Sequence, residues 1–225
     1  RIDSDSTRKK ETLNEYFDEI RQGKPMILLG TQLLAKGHHF PNVTLVGIVD
    51  ADSGLFSADF RGSERVAQLM TQVSGRAGRD KKQGRVILQS YCTDHPQIEE
   101  IISGSYERFA QKLLEERKIS NIPPFSFQAK IFAESPKSLV SRDFILNLLN
   151  RSRIDEKTRK NVRLVGPLPS IMEKKSGVYR WELSIFSKSR SNLHKFLDVM
   201  QSRLYDPKLS KQVRWSIDVD PLSSL

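Results

Sequence analysis

The chain has 225 residues, 37% apolar and 28% charged, with one cysteine, Cys92. That length suits one large or two small domains, and the composition excludes global disorder, a disulfide framework and a cysteine-based zinc site. No run approaches the ~20 apolar residues of a spanning helix, and no basic segment followed by an apolar one opens the chain, so a cytoplasmic protein is expected. It begins at Arg1 rather than Met, so it is expected to be a piece of something longer.

Net charge is +10, from 37 Lys and Arg against 27 Asp and Glu. The distribution is uneven. Residues 1–120 carry 18 basic and 17 acidic side chains, whereas 121–225 carry 19 and 10. Such asymmetry points the second half toward nucleic acid or an acidic partner; the plain alternative is a soluble basic surface.

In chain order, Leu13, Phe17 and Ile20 predict a helix over Thr7–Arg21, ended by Gly23. Met26–Leu29 and Thr44–Val49 read as strands buried on both faces. Ser63 and Glu64 open a helix with Val66, Leu69, Met70 and Val73 inward. Arg85–Gln89 is a third strand, and Pro96 starts one helix reaching past Phe109 to Leu113. This alternation predicts an α/β layer with a parallel sheet. Asn121-Ile-Pro-Pro-Phe125 then breaks the chain, which sets domains at 1–120 and 121–225. Beyond it the pattern is β-α-β-β-α-β: a strand over Phe127–Ala133, a helix over Pro136–Asn150, and a strand over Val162–Val165 that ends at Gly166-Pro-Leu-Pro169. A hairpin at Lys174–Gly177, a strand around Trp181–Ile185, a helix over Leu193–Leu204 and a strand over Trp215–Val219 complete a small α+β domain.

Two segments carry chemistry. Gln72-Val-Ser-Gly-Arg-Ala-Gly-Arg79 holds two arginines, each preceded by glycine, after a helix. Their planar forks suit a polyphosphate; the plain alternative is a basic loop at a helix C-terminus. Gly30-Thr-Gln-Leu-Leu-Ala-Lys-Gly-His-His-Phe-Pro-Asn42 follows the first expected strand, where open α/β sheets bind ligands. Thr31 offers a hydroxyl, Lys36 a charge for a phosphate, and Gly37 close backbone approach. His38 and His39 are adjacent and point apart, so they make poor joint metal ligands. Asp50 and Asp52 could hold Mg²⁺ or close a turn, and the turn is the simpler reading. No metal site is expected.

Together these segments resemble motifs V and VI of the second, RecA-like motor lobe of superfamily 2 helicases. With Leu55-Phe-Ser-Ala-Asp-Phe-Arg61, Ser63-Glu-Arg65 and Trp215-Ser-Ile-Asp-Val-Asp-Pro221, the chain is similar over nearly its whole length to the bacterial primosomal replication-restart DNA helicases. The resemblance implies that Arg76 and Arg79 act as catalytic fingers on ATP held by the first lobe. Gln72 helps couple the lobes and Gly37 lies near the nucleotide. Thr31 and Lys36 face DNA. His39 departs from the superfamily, which often has Asp there. In the C-terminal domain Arg190 matches a position that contacts the acidic tail of single-stranded DNA-binding protein; Arg180 and Trp181 are alternatives, with Trp181 either stacking a base or packing in the core.

The implied activity is ATP-dependent 3′→5′ unwinding at stalled or branched forks, with initiation of primosome assembly. Implied partners are forked and single-stranded DNA, the single-stranded DNA-binding protein tail and other primosome proteins, with no membrane and a monomeric state; the place is the bacterial cytoplasm at the nucleoid. ATP and Mg²⁺ would be bound mainly by the first lobe, and zinc by a cysteine-rich module that precedes this segment. The sequence contains neither Gly-x-x-x-x-Gly-Lys-[Ser/Thr] nor Asp-Glu-x-His, so it is expected not to hydrolyse ATP alone. Two other readings are a non-catalytic basic nucleic-acid-binding module and an RNA-directed motor of the same superfamily.

Overall fold

The computed structural model describes residues 18, 20, 22, 24–29, 43–74, 84–103, 105–151, 154–204 and 212–222. The chain divides into two compact units, residues 1–112 and 113–225. The helix expected over Thr7–Arg21 lies almost wholly outside the described residues, although Asp18 and Ile20 are helical.

In the first unit, β1 (Leu45–Ile48) and β2 (Arg85–Leu88) pair in parallel, with Val46 opposite Val86. Parallel neighbours need a crossover between them. It includes α1 (Asp52–Leu55) and α2 (Gly62–Ser74), and α2 buries Val66, Ala67 and Val73 along one stripe. Two expectations are corrected. Met26–Leu29 forms no strand, and Ile27 is 88% exposed; a strand exists only where a neighbour meets its backbone, and the described sheet here is β1 and β2 alone. Nor are β1 and β2 buried on both faces: each alternates exposed and half-buried residues.

The single helix expected from Pro96 is two, α3 (Pro96–Ile102) and α4 (Tyr106–Ser120). His95 caps the first through Nδ1, which accepts from the Gln97 N–H at 3.3 Å. Ser105 starts the second by accepting from the Arg108 N–H at 3.3 Å. Lys112 of α4 pairs with Glu100 of α3.

The second unit has the predicted β-α-β-β-α-β order: β3 (Phe127–Ser135), α5 (Ser138–Arg151), β4 (Arg163–Lys175), β5 (Val178–Ser187), α7 (Arg190–Leu204) and β6 (Arg214–Val219). A short helix, α6 (Glu156–Lys160), precedes β4. The strands lie β4-β5-β3-β6, antiparallel throughout. Ala129, Ile131 and Ala133 of β3 and Leu183 and Ile185 of β5 share one face. They form a core with Phe144, Ile145 and Leu148 of α5 and Leu193, Phe196 and Met200 of α7. β4 does not end at Gly166. It runs on to Lys175 through two register shifts. Gly166 has φ +119°, and a Cβ there would lie 2.7 Å from the Glu182 carbonyl oxygen. Pro167 and Pro169 are tolerated because β4 is an edge strand and pairs only with β5.

Candidate functional site

The first unit places the end of α2 by a chain of local ties. The Ala51 N–H donates to the Gln89 carbonyl at 3.0 Å, which joins the ends of β1 and β2. The Asp52 carboxylate accepts from the Ser90 hydroxyl at 2.7 Å and the Tyr91 N–H at 2.9 Å. These bonds, the Ser90 hydroxyl first, hold its pKa below the ordinary carboxylate value. Asp50 has φ +56°, and its carboxylate accepts from the Ser53 N–H at 3.2 Å. Both acids therefore close turns, as the simpler reading held.

Next, α1 meets α2 backbone to backbone. A Cβ on Gly54 would lie 2.4 Å from Val66 Cγ2, and one on Gly62 would lie 2.2 Å from the Gly54 carbonyl oxygen. The Ser63 hydroxyl lies 3.0 Å from the Leu55 carbonyl and 3.2 Å from Gln97 Oε1. Asp59, 5% exposed, accepts from the Arg61 N–H at 3.1 Å through Oδ1. Its Oδ2 forms an ion pair with Arg65 Nη2 at 2.9 Å. Gln72 lies in the last turn of α2 and is exposed. Thr31, Lys36, Gly37, Arg76 and Arg79 lie outside the described residues, as do His38 and His39. Of the nucleotide and DNA residues expected from sequence, Gln72 alone is described.

In the second unit, Arg190 opens α7. Its Nη2 lies 3.4 Å from Asp220 Oδ2, and its Cζ lies 5.0 Å from the Phe127 ring centroid. Both members of the pair are more than half exposed. Arg180 is more enclosed: its Nε donates to Glu134 Oε1 at 2.9 Å. Trp181 packs against the core and donates its indole N–H to the Ser138 hydroxyl at 2.9 Å. Trp181 is thus half-buried and packed against the core.

Sequence reasoning missed three polar pairs. They are Asp59 with Arg65, Lys130 Nζ at 2.6 Å from Glu182 Oε1, and Arg163, whose guanidinium donates at 3.3 Å to both the Ser120 and Asn121 carbonyls. Arg163 thereby satisfies carbonyls at the end of α4 and complements its dipole. For Lys130 a signal existed: it is a charged residue between the apolar Ala129 and Ile131 of β3. Arg163 lies more than 40 positions from its partners, and Asp59 and Arg65, six positions apart, fall at no helical or strand spacing that pairs them. Among the described residues, no three His, Cys, Asp or Glu side chains gather as metal ligands. No described helix is long and apolar enough to cross a membrane.

Two family models match the chain. The helicase conserved C-terminal domain matches residues 2–81, and the primosomal protein N C-terminal domain matches residues 118–222. The replication restart protein PriA of Haemophilus influenzae is 45% identical over 222 residues, covering 98% of this chain and 30% of that protein. PriA of Rickettsia conorii is 37% identical over 226 residues, covering 99% and 33%. PriA of Bacillus subtilis is 35% identical over 224 residues, covering 98% and 27%. The chain thus spans about a third of the length of the curated relatives it matches. With both models in the expected order, and relatives aligned along nearly all of it, the chain belongs to the PriA family of replication restart proteins, as a RecA-like helicase C-terminal domain followed by the primosomal C-terminal domain.

Proposed function

We propose that this chain is the C-terminal part of an ATP-dependent 3′→5′ DNA helicase that acts at stalled or branched replication forks and starts primosome assembly. The observation that supports it most is the helicase-domain match over residues 2–81, together with the rigidly tied α2 that ends beside Gly75-Arg-Ala-Gly-Arg79. In this reading the domains divide near residue 121. Arg76 and Arg79 neutralise charge that builds on the γ-phosphate of ATP held by a first lobe. Such fingers are worth on the order of 10³–10⁵ in rate. Gln72 and Gly37 sit at the nucleotide, where Gln72 helps couple the lobes, and Thr31 and Lys36 sit at the DNA backbone. Mg²⁺ belongs to the first lobe, and zinc to a module outside this segment. Arg190 receives the acidic tail of single-stranded DNA-binding protein. Forked and single-stranded DNA and other primosome proteins are the remaining partners. The protein works as a monomer in the bacterial cytoplasm at the nucleoid.

The test is DNA-stimulated ATP hydrolysis by the full-length protein. Arg76→Ala or Arg79→Ala is expected to lower kcat about 10³-fold or more with forked-DNA binding little changed. The 225-residue chain alone is expected to show no turnover above background. Normal hydrolysis with poor DNA binding by both variants would make the arginines DNA contacts and end the finger role.

A further inference from the structure

We infer that Asp59 is a positioning residue for ATP hydrolysis: its ion pair with Arg65 sets the direction of α2 and so the placement of Gln72. The inference rests on the helicase reading above, in which Gln72 helps couple the lobes.

The Gly54–Gly62 approach and the Ser63 bonds pin the start of α2. Beyond its start α2 is packed through Val66, Ala67 and Val73, but apolar packing is non-directional and sets a helix axis less sharply than a charged pair. The ion pair supplies a second hold within the first turn. Asp59 itself is fixed from three sides. Its N–H donates to the Ser57 hydroxyl at 3.1 Å, its carbonyl accepts from the Gly62 N–H at 2.7 Å, and its Oδ1 accepts from the Arg61 N–H. The Asp59 side chain is 3% exposed and that of Arg65 33%, so the pair is partly buried and screened less than a surface pair. The leverage is large. Seven residues separate Arg65 from Gln72, about 10 Å of helix, so a 10° tilt moves Gln72 by about 2 Å. Misplacement of about 1 Å can cost about a hundredfold in rate.

The experiment measures kcat and the KM for ATP in the full-length protein, at a temperature where circular dichroism shows each variant folded. Asp59→Asn is expected to lower kcat about tenfold or more with KM changed less than about threefold. Arg65→Met is expected to follow it, and Arg65→Lys, which keeps the charge, to retain most of kcat. Combined with Gln72→Ala, Asp59→Asn is expected to add little, because both act through one contact. Should Asp59→Asn keep kcat within twofold, or should the double variant lose the full product of the single losses, the inference is overturned. If Gln72→Ala alone leaves kcat unchanged, the reading of Gln72 falls and the inference with it. Because Gln72→Ala is measured by itself, the two failures are distinct.

Discussion

Asp52 shows what a residue's neighbours in space decide that its neighbours in sequence do not. A pair of acids after a strand suits either a cation or a turn. The choice is made by Ser90 and Tyr91, 38 and 39 positions away. Their bonds hold the Asp52 pKa below its ordinary value. The folded chain therefore binds this proton less readily than the unfolded chain. Its stabilisation is complete above the ordinary carboxylate value and is lost as pH falls through the folded one. Asp155, lowered first by its bond to the Thr158 side chain and then by the Thr158 backbone, follows the same sign. Asp52→Asn should accordingly lower the unfolding midpoint at pH 7. The gap to the parent chain should close as pH falls below the ordinary carboxylate value of 3.8. Thermal melts taken down through that value check it; a gap that stays constant with pH would locate the effect in shape rather than charge. Trp181 is a second case: an aromatic beside an arginine suits the core or a ligand platform, and here Ser138, 43 positions away, takes its indole N–H.

Elements were legible where periodicity was strong and local. The stripe of α2 and the alternation in β3 and β5 gave their elements directly. Errors arose where backbone geometry overrode residue type. Gly166-Pro-Leu-Pro169 reads as a strand end, yet β4 passes through it, because prolines are tolerated on an edge strand and at its irregularities, and Pro167 lies in the register shift between Val165 and Leu168. Ser103-Gly-Ser105 carries a stop signal inside a continuous apolar stripe, and the stop prevails: α3 and α4 flank it. The glycines of the α1–α2 crossing were not read at all, since nothing in the sequence says that two backbones meet there. The crossing makes a prediction. An alanine at position 62 places its Cβ against backbone, not against a side chain that can swing away. Gly62→Ala should therefore cost about 1–3 kcal/mol, the usual range for overpacking. Urea denaturation of the 225-residue chain measures it, and a change below about 0.5 kcal/mol would show that the crossing is loose.

At the scale of the molecule, the charge asymmetry and the change of pattern after the Pro-Pro break were both visible in the sequence. Which cations remain available was not. The excess in residues 121–225 is 19 basic against 10 acidic. The structure commits several of these: Lys130 to Glu182, Arg180 to Glu134, Arg163 to the end of α4. Lys157, Lys174, Lys175 and Lys188 stay exposed, and Arg190 holds Asp220 through a long, exposed contact that a competing anion can exchange. The second unit also has its own closed core, so residues 113–225 should fold alone. That piece should bind single-stranded DNA and an acidic peptide, each more weakly as salt rises. With about three to six phosphate contacts, each adding about −0.7 to −0.9 to the slope of log K against log salt, the total slope for DNA should lie between about −2 and −5. Arg190→Glu should weaken the peptide about tenfold or more, because it turns an exchangeable cation into a repelling charge beside Asp220. DNA should change less than about threefold, since one phosphate contact among several is lost. Titrations of the isolated piece with both ligands, at low and at physiological salt, measure these effects. If neither ligand binds at low salt, the unit has no docking role and its basic balance serves solubility alone; if Arg190→Glu weakens both ligands equally, Arg190 is a general anion contact rather than a peptide-selective one.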